Sequence, residues 1–123
     1  MTRKKILLVD DAETILMMER MILSKGSYDF VTAKDGEEAI EKALAERPDL
    51  ILLDVVMPKL DGFTVCKRLR ENEATRETPI IMVTTRGEAG NVEEGFESGC
   101  TDYVSKPING LELLSKVKNC LGE

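Results

Sequence analysis

The sequence predicts an α/β fold in which helices cover both faces of a parallel sheet. Two short runs are wholly apolar and each leads into acidic residues: residues 6–9 precede Asp10, and residues 50–53 precede Asp54. A strand without polar alternation is typical of the centre of a parallel sheet, where both faces are buried. Strand-like and helix-like segments also alternate five times, as crossover helices between parallel strands require.

Composition indicates one globular domain, which we place at 1–123. The 123 residues are 42% hydrophobic and 33% charged, which is enough apolar material for a core. The net charge of −6 disfavours direct binding to nucleic acid, because phosphate recognition needs a basic surface.

Several classes of protein are disfavoured by what the sequence lacks. No apolar run approaches the ~20 residues of a membrane span, and the N-terminal apolar run is too short for a signal peptide. The three cysteines have no paired spacing and indicate reduced thiols, so we expect a cytoplasmic protein. The absence of histidine excludes histidine ligands, His-activated nucleophiles and phosphohistidine within this chain.

The first helix is predicted over 13–25. Ile15, Met18 and Ile22 have helical spacing and are predicted to face the core, and Gly26 ends the pattern.

A half-exposed edge strand and a second helix follow. Residues 28–33 mix polar and apolar side chains, as an edge strand does. Asp35 is predicted to cap the next helix, with Glu38 three residues later as in a capping box, and the helix is expected to end before Pro48.

Beyond the central strand, Asp61 is predicted to cap a third helix that runs through about residue 72. Pro79 then introduces a second wholly apolar strand over 80–83, which continues into two threonines.

The fourth helix, predicted over 88–98, is the weakest. Gly90 and Gly95 each cost a helix interior roughly 1 kcal/mol relative to alanine. Val92 and Phe96 are its main apolar anchors, so we expect this helix to be labile and to take part in conformational change. A short mixed strand over 101–105 follows.

Asn109 is predicted to cap the last helix, which runs through residue 121. With the apolar strands central and the mixed strands at the edges, the pattern fits the flavodoxin-like doubly wound sheet of order 2-1-3-4-5. Its ligand site lies between the carboxyl ends of the first and third strands, where Asp10, Asp11 and Asp54 meet. Three clustered carboxylates repel one another unless a cation binds among them.

Taken together, residues at four separate strand ends make the chain resemble a response-regulator receiver domain, over nearly its whole length. The matching residues are Asp10 and Asp11 after the first strand, Asp54 after the third, Thr84 after the fourth and Lys106-Pro107 after the fifth, with Tyr103 on the last strand.

The resemblance implies a phosphoacceptor site that depends on Mg²⁺. Asp10, Asp11 and Asp54 supply carboxylate oxygens to the metal, and the family adds the backbone carbonyl of the residue two positions after the acceptor, Val56 here. Asp54 is then the nucleophile that forms an acyl phosphate.

The remaining matched residues have roles in catalysis and switching. Lys106 is expected to neutralise the phosphoryl group, and the peptide bond before Pro107 resembles the family's cis bond. In the family, the hydroxyl of Thr84 is recruited by the phosphoryl group and Tyr103 turns inward, so that a covalent change on one carboxylate becomes a conformational output.

The implied protein is a signalling phosphoacceptor that assists its own phosphorylation and dephosphorylation, and is not classed as an enzyme. Its expected partners are a histidine kinase or phosphotransfer protein, and a downstream protein target or a C-terminal effector absent from these residues. Leu16, Met17 and Met21 extend apolar surface on the first helix beyond the predicted core stripe, so they are candidates for part of the kinase-docking surface.

Other interpretations remain. A pseudo-receiver would bind proteins without accepting phosphate. A haloacid-dehalogenase-type phosphatase also uses an Asp nucleophile and Mg²⁺, but needs a second Asp where Val56 stands. A flavodoxin-like FMN binder needs a Ser/Thr-rich phosphate loop, and this chain has two acids there. Singly, each residue also has a structural explanation: Asp11 could cap a helix, and Thr84 could satisfy a loop carbonyl.

Overall fold

The computed structural model describes residues 3–57, 59–85 and 89–123, and within these ranges the side chains of all residues except 85 and 89–92. Strands and helices alternate along the chain: β1 (Lys4–Val9), α1 (Glu13–Leu23), β2 (Tyr28–Ala33), α2 (Gly36–Glu46), β3 (Leu50–Asp54), α3 (Gly62–Glu71), β4 (Ile80–Thr85), α4 (Ala89–Ser98), β5 (Asp102–Lys106) and α5 (Gly110–Cys120).

The five strands form one parallel sheet in the order β2-β1-β3-β4-β5. This confirms the predicted order, with the wholly apolar strands in the centre and the two mixed strands at the edges. The register pairs Val9 with Leu53 and Val83 with Asp54, so the carboxyl ends of β1, β3 and β4 lie at one level. The reversal of strand order falls between β1 and β3.

The sheet separates two apolar cores, because successive side chains of a strand point to opposite faces. On one face, Ile6 and Leu8 of β1 pack with buried residues of α1 and α5. On the other face, Leu7 and Val9 pack with buried residues of α2 and α3. The central strands therefore have no solvated face, as their sequences predict.

The core-facing side of α1 differs from the prediction. Leu16, Glu19 and Leu23 are buried, whereas the predicted stripe of Ile15, Met18 and Ile22 is only half-buried. Both sets have helical spacing, and only the predicted one keeps the carboxyl group of Glu19 out of the core. Ile22 packs against the margin of the core, but the centre of the buried face was predicted wrongly, because the packing of Leu16 and Leu23 outweighs the cost of burying that group.

The helix caps follow the sequence signals. The Asp35 side chain accepts a hydrogen bond from the Glu38 backbone N–H at 2.8 Å, and Glu38 Oε1 accepts one from the Lys34 N–H at 2.7 Å. Asp61 likewise accepts a hydrogen bond from the backbone N–H of Thr64, at 2.9 Å. These bonds satisfy N–H groups that a helix start leaves free.

Asn109 caps α5 in the same way, through a 3.0 Å bond from the Glu112 N–H.

The predicted fourth helix is present as α4, which begins at Ala89; Glu88 and the side chain of Val92 lie outside the described residues. The expectation that Phe96 anchors this helix in the core is wrong, because its side chain is 47% exposed. The core side of α4 includes Gly95, where an added Cβ would lie 3.6 Å from Met82. This distance is an ordinary van der Waals contact, so α4 could lie equally close to the sheet with an alanine here.

The connection between α3 and β4 is held by the side chain of Arg70. Its guanidinium donates hydrogen bonds to the carbonyls of Thr75 at 3.0 Å and Thr78 at 2.7 Å, and to that of Gly99 at 2.8 Å. One cation at the end of α3 therefore binds both this connection and the turn that precedes β5.

None of the helices in the described ranges combines the length and hydropathy that a membrane span needs. The three cysteines are free thiols, of which Cys66 and Cys100 are buried and Cys120 is partly buried.

Candidate metal and phosphoryl site

The carboxyl ends of β1 and β3 bring three carboxylates together. Asp10 follows β1, Asp11 comes next, and Asp54 is the last residue of β3. One oxygen from each lies within 4.8 Å of the others. This is the juxtaposition that the strand order and register dictate, and it lies at the switch point of the sheet, where ligands of open α/β sheets bind.

The three carboxylates differ in environment. Asp10 and Asp54 are buried, at 1% and 4% exposure, whereas Asp11 is exposed. Asp10 Oδ1 accepts a hydrogen bond from the Ala12 N–H at 2.9 Å, while its buried Oδ2 has no hydrogen-bond partner. The N-cap of α1 is Ala12, with no side-chain bond, so Asp11 does not cap this helix.

Lys106 provides the opposing positive charge. It ends β5, and its Nζ lies 3.4 Å from Asp54 Oδ1 and 3.6 Å from Asp10 Oδ2. The peptide bond between Lys106 and Pro107 is cis. These distances show that the ammonium group, carried by β5, faces the two buried carboxylates at the ends of β1 and β3.

Burial and neighbouring charges shift the pKa values of this pair. Burial, and then the charge of Asp10, raises the pKa of Asp54 to about 6, while Lys106 opposes the rise. Burial alone would lower the pKa of Lys106, but the charges of Asp54 and Asp10 raise it. At neutral pH Asp54 is therefore mainly an anion beside a cation, and its oxygen is available as a nucleophile.

The donor set suits Mg²⁺. This hard cation binds oxygen ligands in an octahedron and usually retains waters, so one or two protein carboxylates with open positions are sufficient. Three carboxylates and an Asp10 oxygen without a hydrogen-bond partner meet that requirement. Val56, the expected backbone ligand, comes two residues after Asp54, and its side chain is 68% exposed.

Gly62 allows α3 to begin directly against this site. A Cβ at this position would lie 2.5 Å from the carbonyl oxygen of Asp54 and 2.9 Å from the Cα of Val55. The Gly62 N–H donates to the Val55 carbonyl at 2.8 Å, which fixes the backbone after β3. The sequence places a helix start here but does not indicate this close approach.

Thr84 and Tyr103 lie on neighbouring strands and share a face of the sheet. The register pairs Met82 with Tyr103, and Thr84 is two residues further along the same strand as Met82. The Thr84 hydroxyl is buried and donates a long hydrogen bond, 3.4 Å, to the Val104 carbonyl. At this length the hydrogen bond is weak.

The Tyr103 side chain lies between α4 and α5. Its ring meets that of Phe96 edge-on, with centroids 6.0 Å apart and planes at 89°. On the α5 side, Lys116 Nζ lies 4.6 Å from the ring centroid. Thr84 and Tyr103 are not hydrogen-bonded to each other: the Thr84 hydroxyl contacts β5, and the Tyr103 ring contacts α4 and α5.

Sequence reasoning missed Glu19. Its side chain is 1% exposed, and Oε1 is buried without a hydrogen-bond partner. Burial raises its pKa to about 8, with further contributions from Asp10 and Asp54 and an opposing one from Lys106. The available signal was the spacing of Glu19 from Leu16 and Leu23, three and four residues away, which puts all three on one helix face.

A doubly wound sheet with an acidic cluster at its switch point and a lysine beside it defines a receiver-type signalling domain. The sequence model of the response regulator receiver domain matches residues 6–118, and the chain belongs to that family. It is a receiver domain of two-component signalling, a class that generally acts as a phosphoacceptor and binds Mg²⁺ in its acidic pocket.

Two curated relatives are transcriptional regulatory proteins. The chain is 47% identical over 118 residues to the alkaline phosphatase synthesis transcriptional regulatory protein PhoP of Bacillus subtilis, covering 96% of this chain and 48% of the relative. It is 46% identical over 117 residues to the transcriptional regulatory protein ResD of the same organism, covering 95% of this chain and 48% of the relative. The chain thus spans about half the length of these relatives.

Solved structures have the same fold over whole chains. A response regulator from Chloroflexus aurantiacus matches with a TM-score of 0.95 at 37% identity, covering 99% of this chain and 100% of the other. The receiver domain of the sensor histidine kinase PA1611 from Pseudomonas aeruginosa matches with a TM-score of 0.90 at 30% identity, covering the same shares of the two chains. That structure has a magnesium ion coordinated in its active-site cleft.

Proposed function

We propose that this domain accepts a phosphoryl group on Asp54 in a reaction that requires Mg²⁺, and that the acyl phosphate changes a protein-binding face. One observation carries the proposal: a buried Asp54 oxygen lies 3.4 Å from the Lys106 ammonium, inside a cluster of three carboxylates. The proposed donor is a phosphohistidine of a histidine kinase or phosphotransfer protein, the donor class of two-component signalling.

In the proposed transfer, an Asp54 oxygen attacks phosphorus, the new O–P bond forms and the N–P bond of the donor breaks. The leaving imidazole retains the electron pair and is protonated. Lys106 stays protonated and balances the charge that moves onto the Asp54 side of the site. Attack of water on the acyl phosphate later releases inorganic phosphate and restores the carboxylate.

Asp10, Asp11 and Asp54, with the backbone carbonyl of Val56, are the proposed metal ligands. Mg²⁺ bound there would neutralise the carboxylates and the phosphoryl oxygens, which otherwise repel each other. Asp10 Oδ2 is buried without a hydrogen-bond partner, with Lys106 Nζ 3.6 Å away, and is therefore available to a metal ion.

The proposed output runs through Thr84 and Tyr103. A phosphoryl oxygen offers the Thr84 hydroxyl a stronger acceptor than the Val104 carbonyl at 3.4 Å. Movement of Thr84 vacates space on the face it shares with Tyr103, and the ring then turns inward, away from Lys116. The surface formed by α4, β5 and α5 is therefore the proposed phosphorylation-dependent partner surface.

The proposed kinase-docking surface includes the exposed side of α1. Met17 and Met21 are 62% and 68% exposed, whereas Leu16 is only 3% exposed and belongs to the core, so its part in this prediction was wrong. Leu111 of α5, 77% exposed, continues the apolar surface. A groove of about 480 Å³ between the two helices is lined by Met21, Ile22, Lys25, Asn109, Gly110, Leu111 and Leu114. Flexible methionines suit a helical phosphodonor partner.

We place this single receiver domain at 1–123 and in the cytoplasm, acting on a downstream protein or on an effector domain in a longer chain. The two transcriptional relatives are about twice as long as this chain, which favours an effector domain. The acidic receiver domain itself is not proposed to contact DNA.

The test is labelling with acetyl phosphate in the presence and absence of Mg²⁺. Wild type should acquire a phosphate that hydroxylamine removes, and only with Mg²⁺; Asp54→Ala should acquire none, and Asp11→Ala should need more Mg²⁺. Asp61→Asn, which changes an exposed capping carboxylate, is the matched control and should be labelled like wild type.

Labelling of Asp54→Ala equal to wild type would refute the assignment of the acceptor. Mg²⁺ binding without labelling of wild type would favour a pseudo-receiver. Sustained turnover of phosphate esters would favour a phosphatase.

A further inference from the structure

Val55 is the residue between Asp54 and Val56, the proposed acceptor and the proposed backbone ligand of the metal site. Its side chain is buried, at 4% exposure. Its N–H donates a 3.2 Å hydrogen bond to the Val83 carbonyl of β4, and its own carbonyl accepts a 2.8 Å bond from the N–H of Gly62. The backbone that joins the two candidate ligands is therefore held from two sides, by the sheet and by the start of α3.

The start of α3 is itself fixed in place. The Asp61 side chain caps the helix, and Phe63 and Val65 in its first turn are buried in the core, at 8% and 0% exposure. Because the core is close-packed, this turn cannot move away from the end of β3 without disturbing buried apolar contacts.

Gly62 lies so close to the end of β3 that a side chain does not fit there. An added Cβ would lie 2.5 Å from the Asp54 carbonyl oxygen and 2.9 Å from the Val55 Cα. A carbon atom approaches a carbonyl oxygen to about 3.3 Å, so the two segments would have to separate by roughly 0.8 Å. Both contacts are with backbone atoms, which cannot rotate away as the end of a flexible side chain can.

We propose that Gly62 is a positioning residue for the metal site. Because it lacks a side chain, α3 holds the backbone at the end of β3 where the Asp54 carboxylate and the Val56 carbonyl can bind one divalent cation. Asp10 and Asp11 follow β1, so this contact positions only the ligands that β3 supplies. The inference rests on the proposed metal site and adds to it a residue that acts through the backbone and does not itself contact the cation.

The geometric demands of Mg²⁺ give this contact its importance. The ion requires a near-ideal octahedron with metal–oxygen distances of about 2.0–2.1 Å. The residues that support such ligands must hold them to within about 0.5 Å. A displacement of roughly 0.8 Å at the Asp54 backbone exceeds that tolerance. A side chain at position 62 should therefore weaken cation binding more than a clash of equal size elsewhere.

The test compares Gly62→Ala with Gly36→Ala, which introduces a clash of similar size in α2. A Cβ at Gly36 would lie 2.5 Å from both the Cβ and the carbonyl oxygen of Leu60, which is not a candidate ligand. Urea unfolding without Mg²⁺ should show that both variants fold and are less stable than wild type. Isothermal titration calorimetry should give Mg²⁺ binding weakened about tenfold or more in Gly62→Ala, and within about twofold of wild type in Gly36→Ala.

A second measurement uses wild type alone and does not depend on the folding of a variant. Since the Gly62 N–H is bonded to the Val55 carbonyl, ordering of this backbone by Mg²⁺ should shift the Gly62 amide resonance and slow its hydrogen exchange. The amide of Gly26, bonded to the Leu23 carbonyl before β2 begins, lies at the other end of the strands and should change in neither respect.

The inference is overturned if Gly62→Ala binds Mg²⁺ like wild type, if both variants lose affinity equally, or if saturating Mg²⁺ leaves the Gly62 amide unchanged. Should Gly62→Ala not fold, the wild-type measurement decides. Failure of wild type to bind Mg²⁺ would instead overturn the proposed metal site, and this inference with it.

Discussion

Lys116 and Tyr103 are joined by two contacts, since the Lys116 ammonium lies 4.6 Å from the ring centroid and also donates a hydrogen bond to the Tyr103 backbone carbonyl. Asp102, 3.4 Å from the same ammonium, orients it further. The cation therefore stabilises both the position of the ring and the strand that carries it. The side chain that holds the Tyr103 ring from this side therefore belongs to α5.

Replacing Lys116 by methionine should make the ring easier to displace. The cation–π contact, worth roughly 0.5–1 kcal/mol at a partly exposed site, is lost while the aliphatic stem is kept. We expect the Tyr103 ring resonances of the unphosphorylated variant to shift toward their positions in the phosphorylated protein. Lys118→Met on the same helix is the control and should leave them unchanged; unaltered Tyr103 resonances in Lys116→Met would contradict the assigned role.

Lys106 should set the acid limit of phosphorylation. Lys106 lowers the pKa of Asp54, which burial and Asp10 raise to about 6, so Lys106→Met should move that pKa further upward. Because the proposed nucleophile is the carboxylate, the acid limb of the rate–pH profile with acetyl phosphate, measured at Mg²⁺ low enough that most of the protein is metal-free, should shift to higher pH, and the maximal rate should also fall. Lys34→Met, at an exposed ion pair with Glu13, serves as control. A lower rate with an unmoved acid limb would show that Lys106 acts on the phosphoryl group alone.

Glu19→Gln should stabilise the metal-free fold increasingly with pH. The pKa of Glu19 is raised from 4.5 to about 8, so between these values the folded state retains a proton that the unfolded state has lost. Below about pH 4.5 the titration of Glu19 therefore takes nothing from the free energy of unfolding of wild type. As pH rises to about 8, it lowers that free energy by a few kcal/mol at most.

Urea unfolding of both proteins across that range measures the difference. A difference in the free energy of unfolding that does not change with pH would mean that Glu19 titrates alike in both states.

Gly95→Ala should stabilise α4. The added Cβ would meet Cys100 Sγ at 3.4 Å and Met82 at 3.6 Å, which are ordinary contacts, and the helix gains up to about 1 kcal/mol from lower unfolded-state entropy. Amide exchange in residues 93–98 should slow, and if the lability of α4 serves switching, the phosphorylation-dependent change in exchange should shrink.

Gly110→Ala in α5 also has room, with Ile22 at 3.5 Å, and should leave exchange in α4 unchanged. Equal exchange protection of α4 and α1 in wild type would already count against a labile α4.

The strand order was predictable because it depends on a property that a sequence displays directly, the presence or absence of polar residues in a strand. The wholly apolar runs over 6–9 and 50–53 had to be central, and their acidic ends then had to meet. The helix caps at Asp35 and Asp61 were predictable for a similar reason, since they depend on residues a few positions apart.

The face of α1 was not predictable from spacing alone, because two overlapping stripes compete and the choice depends on packing against α5 and the sheet. The rule that charged side chains avoid cores favoured the stripe of Ile15, Met18 and Ile22, so the burial of Glu19 was not predicted. Phe96 was misassigned for a related reason: its ring contacts that of Tyr103, on another element, and no local pattern encodes that pair.

The hydrogen bonds of Arg70 limit where this domain can be cut or extended. Its guanidinium binds four carbonyl oxygens, those of Thr75, Arg76, Thr78 and Gly99. The connection between α3 and β4 looks like a permissive surface loop, yet one guanidinium supplies much of its internal order. New termini or an inserted reporter between residues 72 and 79 would separate carbonyls that a single side chain must reach together. Circular permutants should therefore be opened elsewhere, because a cut at this connection also loosens the turn that leads into β5.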